Sequence, residues 1–468
     1  MAASDQLYRI SPVWTQDALV SAKGWLNETR RIDRAVAQKH YQLLLESQYW
    51  SESDLAAFQL SELRSLLDYS FKSVPYYREL SNRLNMRAQD FKSLDDLSNL
   101  PTLSKQQVRG NERQFISDEF SHKRLLRAFT SGTTGTPLSL YSRPEFFARR
   151  LAFELRLRNW AGLENPEKPR RAQFTGQTIC APTEKSQFWR RNIPGNALLL
   201  STIHISGATA EAYATALMDF APDFIDGYPS AISLLARICL EHDYVLPRVR
   251  AIRVSAETLF PEDMKVIEDA FQAKVFNQYG ASESACFCSF NENQEMVAHP
   301  EFGILEVLDS AGRKSAHDQF GTVVTTAFVN RVMPLVRYEL GDSISLSSSK
   351  PSCPEGAGFQ LINEVQGRND DSIAIPGVGE VGRMDTIFKG LTGIVEAQIV
   401  LHEPDRMIVY VVKDGGWNSE SHRRLLSKLR AKVGAGIRLD IELVESIKRG
   451  PNGKFRAVVD LTRRDAGD

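Results

Sequence analysis

The sequence predicts an α/β protein: a large N-terminal α/β domain with parallel-containing sheets and a small, mobile α+β lid domain behind it. Three observations carry that expectation. From Arg127 to Asn277, short apolar runs alternate with helical patterns, as in units that feed a parallel sheet. Beyond residue 300 the texture becomes β-rich, with turns between the runs. After Asp371, about a hundred residues follow with their own strand and helix order, enough to bury a core of their own. The expected domains are 1–369, with 1–105 a helical lead-in, and 370–468.

The lead-in reads as helices. Leu60, Leu63, Leu66, Leu67 and Phe71 recur at a 3.6-residue period, and Ser73-Val74 before Pro75 ends that run. Ser104 followed by Gln107 is a capping box ahead of a short helix. Strands are expected at Leu125 to Phe129 and Leu138 to Tyr141, then a long helix through Phe146 to Trp160. Asp223 to Ser230 reads as a strand running into a loop, with a helix from Ala231 to Glu241. Val249 to Ser255 and Lys274 to Asn277 are expected strands, with a helix from Pro261 to Phe271 between them. Gly303 to Leu308, Gly321 to Ala327 and Ile344 to Ser347 follow as strands, and Ser347 to Gly358 as a polar loop. The lid carries strands at Ala397–Leu401, Met407–Val412 and Leu439–Val444, and a helix from Ser419 to Val433. There is no internal repeat and no low-complexity tract.

Bulk composition narrows the function classes. A net charge of −1 supplies no general attraction for nucleic acid or an anionic membrane, so neither is an expected partner. Five cysteines (Cys180, Cys239, Cys286, Cys288, Cys353) are too few, and odd in number, for a disulfide framework. Met1 to Val13 lacks the basic start and apolar run of a secretory signal, and no stretch approaches the ~20 apolar residues of a membrane span. A reduced, cytoplasmic enzyme is the expectation, and a homodimer is left open.

The most informative segment is Thr130-Ser131-Gly132-Thr133-Thr134-Gly135-Thr136-Pro137, set between two expected strands. It has five hydroxyls and two glycines and no side chain large enough to fill a core. Such a loop presents N–H groups and hydroxyls to a phosphate, and its glycines permit the positive φ of an anion nest. It lacks the Gly-Lys-Ser/Thr ending of a P-loop and does not match the dinucleotide fingerprint. A flexible surface turn is the plain alternative.

Four further motifs follow in order: Tyr279-Gly280-Ala281-Ser282-Glu283, Arg337-Tyr338-Glu339-Leu340-Gly341-Asp342, Gly367-Arg368-Asn369-Asp370-Asp371 and Gly450-Pro451-Asn452-Gly453-Lys454. Together with the hydroxyl loop this set resembles the adenylate-forming superfamily of acyl- and aryl-CoA ligases, peptide-synthetase adenylation domains and luciferases. The likeness is greatest to phenylacetate–CoA ligases and the ligase-like proteins of capsular-polysaccharide clusters. Val74-Pro75-Tyr76-Tyr77-Arg78, Asp226-Gly227-Tyr228-Pro229-Ser230 and Ser255-Ala256-Glu257-Thr258-Leu259 support that branch, and the resemblance covers nearly the whole chain.

The resemblance implies ATP and Mg²⁺ as cofactors and a small carboxylic acid as substrate. Thr130, Ser131, Thr133 and Thr134, with Gly132 and Gly135, would hold the β- and γ-phosphates. Thr136 and Leu138 stand where many relatives carry a lysine. Glu283 would hold Mg²⁺, a hard cation that takes carboxylate oxygens. Gln278, Tyr279, Gly280 and Ser282 would flank the nucleotide, with Ser255, Ala256 and Glu257 along the adenine side. Asp342, a pure acceptor when ionised, would take both ribose hydroxyls, and Arg368 would contact ribose and phosphate. Lys454 would be the catalytic cation at the α-phosphate, Asp370 the hinge about which the lid swings. His204, Tyr228, Pro229 and Ser230 would line the acyl pocket; a structural histidine is the plainer reading of His204.

Relatives of this branch often hold a zinc, for which Cys286, Cys288, His299 and Cys353 are a credible set. Against it, Cys353-Pro354-Glu355 replaces an expected Cys-x-Cys pair, and free buried cysteines are the alternative. The implied reaction is acyl-adenylate formation followed by transfer to CoA. The alternatives are capture by an amine or hydroxyl acceptor, and a degenerate, non-catalytic nucleotide-binding protein.

Overall fold

The computed structural model describes residues 8, 11–130, 138–177, 179–181, 183–368, 373–375, 379–381, 384–388, 391, 393–434, 436–450 and 453–462. The chain forms two compact units, each built from segments far apart in sequence.

One unit comprises Met1–Trp25, Lys168–Val275 and Gly367–Asp468. Its sheet is centred on strand Arg171–Thr175, which pairs in parallel with Ala197–Ser201 on one side and Phe224–Gly227 on the other. Ala251–Ser255 extends it in parallel, and Trp189–Asn192 closes the opposite edge antiparallel. Ala172, Phe174, Leu198, Leu200, Ile225, Ile252 and Val254 pack with Tyr213, Leu217, Ile232, Leu235 and Phe271 of three helices in one core. Each fully buried Leu or Ile there stabilises the unit by about 1.5–3 kcal/mol. A buried carboxylate, Asp226, is paired with Arg171 (3.4 Å) and Arg253 (3.6 Å) from the strands on either side. Because Ala197–Ser201 is added on one side and Phe224–Gly227 on the other, the connections part at the strands' carboxyl ends. In an open parallel sheet that is where a ligand crevice forms.

In the same unit the C-terminal segment has its own core. Ile394–Glu403 and Arg406–Lys413 form an antiparallel pair, flanked in parallel by Val458–Asp460 and Arg438–Leu443 respectively. Helix Ser419–Val433 starts where the Asn418 side chain accepts from the Glu420 and Ser421 amides, and it buries Leu425, Leu429 and Val433. They meet Ile399, Leu401, Met407, Val409 and Val411.

The other unit comprises Leu26–Glu167 and Phe276–Gln366. Helix Glu52–Ser73 begins at a Ser51/Asp54 capping box, and Val74-Pro75 stops it as the pattern predicts. Gly303–Leu308, Phe320–Ala327 and Tyr338–Leu346 form an antiparallel meander. Its last strand starts six residues before the expected Ile344. Gly341-Asp342 lies within it, at a register shift where Gly341 adopts φ +81°.

At the centre of this unit Arg156 is fully buried, with its Nη1 and Nη2 on the two oxygens of Glu301 at 2.7 and 2.9 Å. Ser47 donates to the same carboxylate, and Trp160, Phe153 and Phe359 present ring faces to the guanidinium. Arg156 Nη2 also lies 2.6 Å from His299 Nδ1, and Ser289 Oγ 2.8 Å from Nε2. A guanidinium only donates, so Nδ1 accepts and the proton sits on Nε2.

Arg156→Met would leave Glu301 buried without its counter-ion, an expected loss of about 3–5 kcal/mol seen as a lower urea midpoint. Burial, then Arg156, holds the His299 pKa well below its ordinary value. The unfolded chain therefore binds the extra proton more readily. Stability is full above about pH 6.5 and falls with acidification, by up to about 1.4 kcal/mol per pH unit from this residue. Burial also pushes His40 down to about 4, so it adds to the loss between pH 6.5 and that value. His299→Gln should flatten the pH dependence of the midpoint.

Candidate active site

In the first unit the carboxyl ends of four parallel strands form a rim. Gly176 follows Thr175, Thr202 follows Ser201, Tyr228 follows Gly227, and Ala256 follows Ser255. The loop carrying Lys454 lies on that rim. Thr202 Oγ1 donates to the Gly453 carbonyl at 3.4 Å, and Lys454 Nζ donates to the Ala256 carbonyl at 3.4 Å. The ammonium also lies 5.8 Å from the Tyr228 ring centroid. Ala256 holds φ +72°, a left-handed backbone unusual for a residue with a Cβ. Strain of that kind gathers at functional sites.

Glu257 ties the loop down. Its Oε1 accepts from the Phe455 amide at 2.8 Å, and its Oε2 from the Ser230 amide at 3.3 Å. Burial raises its pKa, opposed by the Ser230 and Phe455 hydrogen bonds and by Arg449. Arg449 pairs with the buried Glu396 and stacks over the Phe455 ring at 4.9 Å. Pro229 opens helix Pro229–Glu241, where its missing N–H costs nothing. Next to the rim, Ser201 Oγ lies 2.8 Å from His204 Nδ1, while His204 Nε2 lies 3.1 Å from the Ala181 carbonyl. Phe188 stacks on the imidazole at 5.1 Å.

In the second unit the Tyr279 hydroxyl donates to Asp342 Oδ2 at 2.7 Å. Burial, chiefly, raises the Tyr279 pKa, so this phenol stays a donor. Glu283 is buried: Tyr338 OH donates to its Oε1 at 3.3 Å and Lys105 Nζ lies 3.3 Å from the same atom. Its Oε2 has no hydrogen-bond partner among the described residues. An orphaned buried carboxylate oxygen fits a hard divalent cation, which needs one or two such donors from protein. Gln278 is half-buried at the end of its strand, Gly280 abuts the Cys286 carbonyl, and Ser282 is exposed in the following turn. Thr130 closes the ends of the hydroxyl loop, its amide on the Leu138 carbonyl and its Oγ1 accepting from the Leu138 amide, both at 3.0 Å.

Ser131, Gly132, Thr133, Thr134, Gly135 and Asp370 lie outside the described residues, as does the side chain of Arg368. The four zinc candidates are not brought together. Both His299 ring nitrogens are engaged, by Arg156 and Ser289, and Cys286 is hydrogen-bonded with Cys288. Cys353 instead gathers with Glu292 and Glu355, its thiol donating to Glu355 Oε2 at 2.9 Å. Arg156 occupies His299 Nδ1, one of the two nitrogens such a set would draw on. Glu257, expected along the adenine, places its carboxylate on the Phe455 and Ser230 amides. Sequence reasoning passed over Lys105, Thr202 and Tyr338. Tyr338 sat inside a noted motif, but nothing local marks Lys105 or Thr202.

Residues 378–460 match the CapK C-terminal domain family. Protein CapK of Staphylococcus aureus is 27% identical over 460 residues, covering 97% of this chain and 98% of that protein. Phenylacetate-coenzyme A ligase of Thermus thermophilus is 24% identical over 459 residues, covering 87% of this chain and 97% of that protein. Among solved structures, 2-hydroxyisobutyryl-CoA ligase in a postadenylation state superposes with TM-score 0.69 at 19% identity, over 89% of this chain and 91% of that one.

An alanine Cβ at Gly453 would sit 2.5 Å from Thr202 Oγ1 and 2.8 Å from Gly176 Cα, at φ +72°. Gly453→Ala should therefore destabilise the docked loop by about 1–3 kcal/mol. Amide exchange across residues 450–458 should rise about tenfold or more while exchange in strand Arg406–Lys413 stays unchanged. The chain has the fold of the adenylate-forming acid–CoA ligases.

Proposed function

We propose that this protein uses ATP to activate a small carboxylic acid as an acyl-adenylate and then passes the acyl group to CoA. The observation that carries the reading is the Lys454 loop seated on the carboxyl ends of four parallel strands. A fixed cation at a ligand crevice is what in-line attack on an α-phosphate requires. In that reaction a carboxylate oxygen bonds the α-phosphorus as the bridging bond to pyrophosphate breaks, and negative charge builds on the phosphoryl oxygens. Lys454 would stabilise that charge, and positioning of the two anions would supply much of the rest.

The other residues have matching chemistry. Glu283 would hold Mg²⁺, which neutralises the leaving pyrophosphate when bound. Asp342, oriented by Tyr279, would accept from the ribose hydroxyls. Tyr228 and Ser230 would face the acyl group, with His204 at its edge. Full-length similarity to a phenylacetate–CoA ligase, and a fold shared with a ligase solved with an acyl-AMP, support both half-reactions. A related structure of the latter contains 2-HIB-AMP and CoA together.

The test is ATP–pyrophosphate exchange over a carboxylate panel that includes phenylacetate and 2-hydroxyisobutyrate, followed by trapping with CoA or with hydroxylamine. Acid-dependent exchange and CoA thioester are the expected results. Exchange with hydroxamate but no thioester would point to an amine or hydroxyl acceptor. ATP binding without exchange would point to a non-catalytic protein. Glu283→Ala and Lys454→Ala should each lower the exchange rate by about a hundredfold or more. Undiminished exchange in either variant would remove that residue from the mechanism.

A further inference from the structure

The hydroxyl loop supplies no lysine, since Thr136 and Leu138 occupy the places where the ligases it resembles carry one. A triphosphate still needs cations along its length. Outside that loop, the second unit sets one beside the carboxylate assigned to the phosphate side. Lys105 Nζ is 3.3 Å from Glu283 Oε1, and its side chain keeps 27% of its exposure.

The backbone builds this placement. The Leu103 amide donates to the Arg337 carbonyl at 2.8 Å and the Glu339 amide to the Leu103 carbonyl at 3.0 Å, so Leu103 lies as a parallel bridge beside Tyr338. Ser104 then caps the turn Lys105–Val108, its side chain accepting from the Gln107 amide. Arg337, which anchors the strip, is itself buried on Glu306. Lys105 thus emerges next to Tyr338, whose hydroxyl meets the same Glu283 oxygen.

As a purely structural pair this arrangement is poor. One contact at 3.3 Å serves a buried carboxylate whose other oxygen has no hydrogen-bond partner among the described residues. Burying a charge so incompletely costs more than the contact returns. Tyr338 and Asp342 lie four residues apart on strand Tyr338–Leu346. Between them the strand is irregular, Glu339 facing Val324 and Ser343 facing Thr322.

We propose that Lys105 is a phosphate-binding residue of this protein, supplying to the β- and γ-phosphates of ATP the charge that the hydroxyl loop lacks, with Glu283 as its counter-ion in the nucleotide-free state. The proposal rests on the ATP-dependent ligase reading. Its test is calorimetric binding of α,β-methylene-ATP and of AMP, each with Mg²⁺, to the wild type, Lys105→Met and Lys105→Arg. Lys105→Met should weaken α,β-methylene-ATP by about tenfold or more, the loss of one charge-assisted contact, and leave AMP within about twofold. Lys105→Arg should recover most of that affinity, which keeps the test decisive if the methionine variant folds poorly. Equal weakening of both nucleotides, or of neither, would overturn the proposal. If the wild type binds neither nucleotide, the ligase reading itself fails and the proposal goes with it.

Discussion

A loop that must land on several strand ends at once needs those ends to lie at one level. Parallel pairing meets that constraint here: Thr175 stands opposite Ser201, Phe174 opposite Gly227, and Gly227 opposite Val254. The next residues, Gly176, Thr202 and Tyr228, therefore form a common rim, with Ala256 two past Val254. Antiparallel neighbours would have pointed alternate ends away. The absence of a side chain at Gly176 and Gly453 lets the loop backbone settle onto the rim, and the strained φ of Ala256 accompanies a carbonyl aimed at the ammonium.

The loop is held by several polar contacts from different strand ends. Contacts that hold the loop include hydrogen bonds at 2.8, 3.4 and 3.4 Å and a cation–π contact at 5.8 Å. Hydrogen bonds of this kind are worth about 0.5–1.5 kcal/mol each, net of water. The carboxylate of Glu257, raised by burial, grips the loop mainly through one amide.

Local signals were readable where one residue decides the outcome. The helices Pro261–Phe271 and Ser419–Val433 and the strand Gly303–Leu308 have the expected bounds, because capping residues, prolines and β-branched runs mark their ends. Strand Tyr338–Leu346 was half hidden, since Gly341 takes a positive φ and the pairing register shifts there before the strand resumes at Ser343. Trp189–Asn192 and Arg171–Thr175 were missed for a related reason: their polar faces dilute the apolar pattern. At the site, motif residues were legible one by one. What they touch was not, because Lys454 meets Ala256 across 198 positions and Lys105 meets Glu283 across a similar gap.

Three buried glutamates of the second unit separate structure from chemistry. Glu301 receives both Arg156 nitrogens and the Ser47 hydroxyl, and Glu306 receives Arg337 Nε and Nη2 at 3.0 and 2.9 Å. Both are satisfied by forked guanidinium pairs, the geometry that makes a buried ion pair tolerable. Glu283 has a lysine and a phenol on one oxygen and no partner among the described residues on the other. The same unit thus completes two other buried carboxylates. The unpartnered Glu283 Oε2 costs stability at this position, a cost that a bound cation would offset.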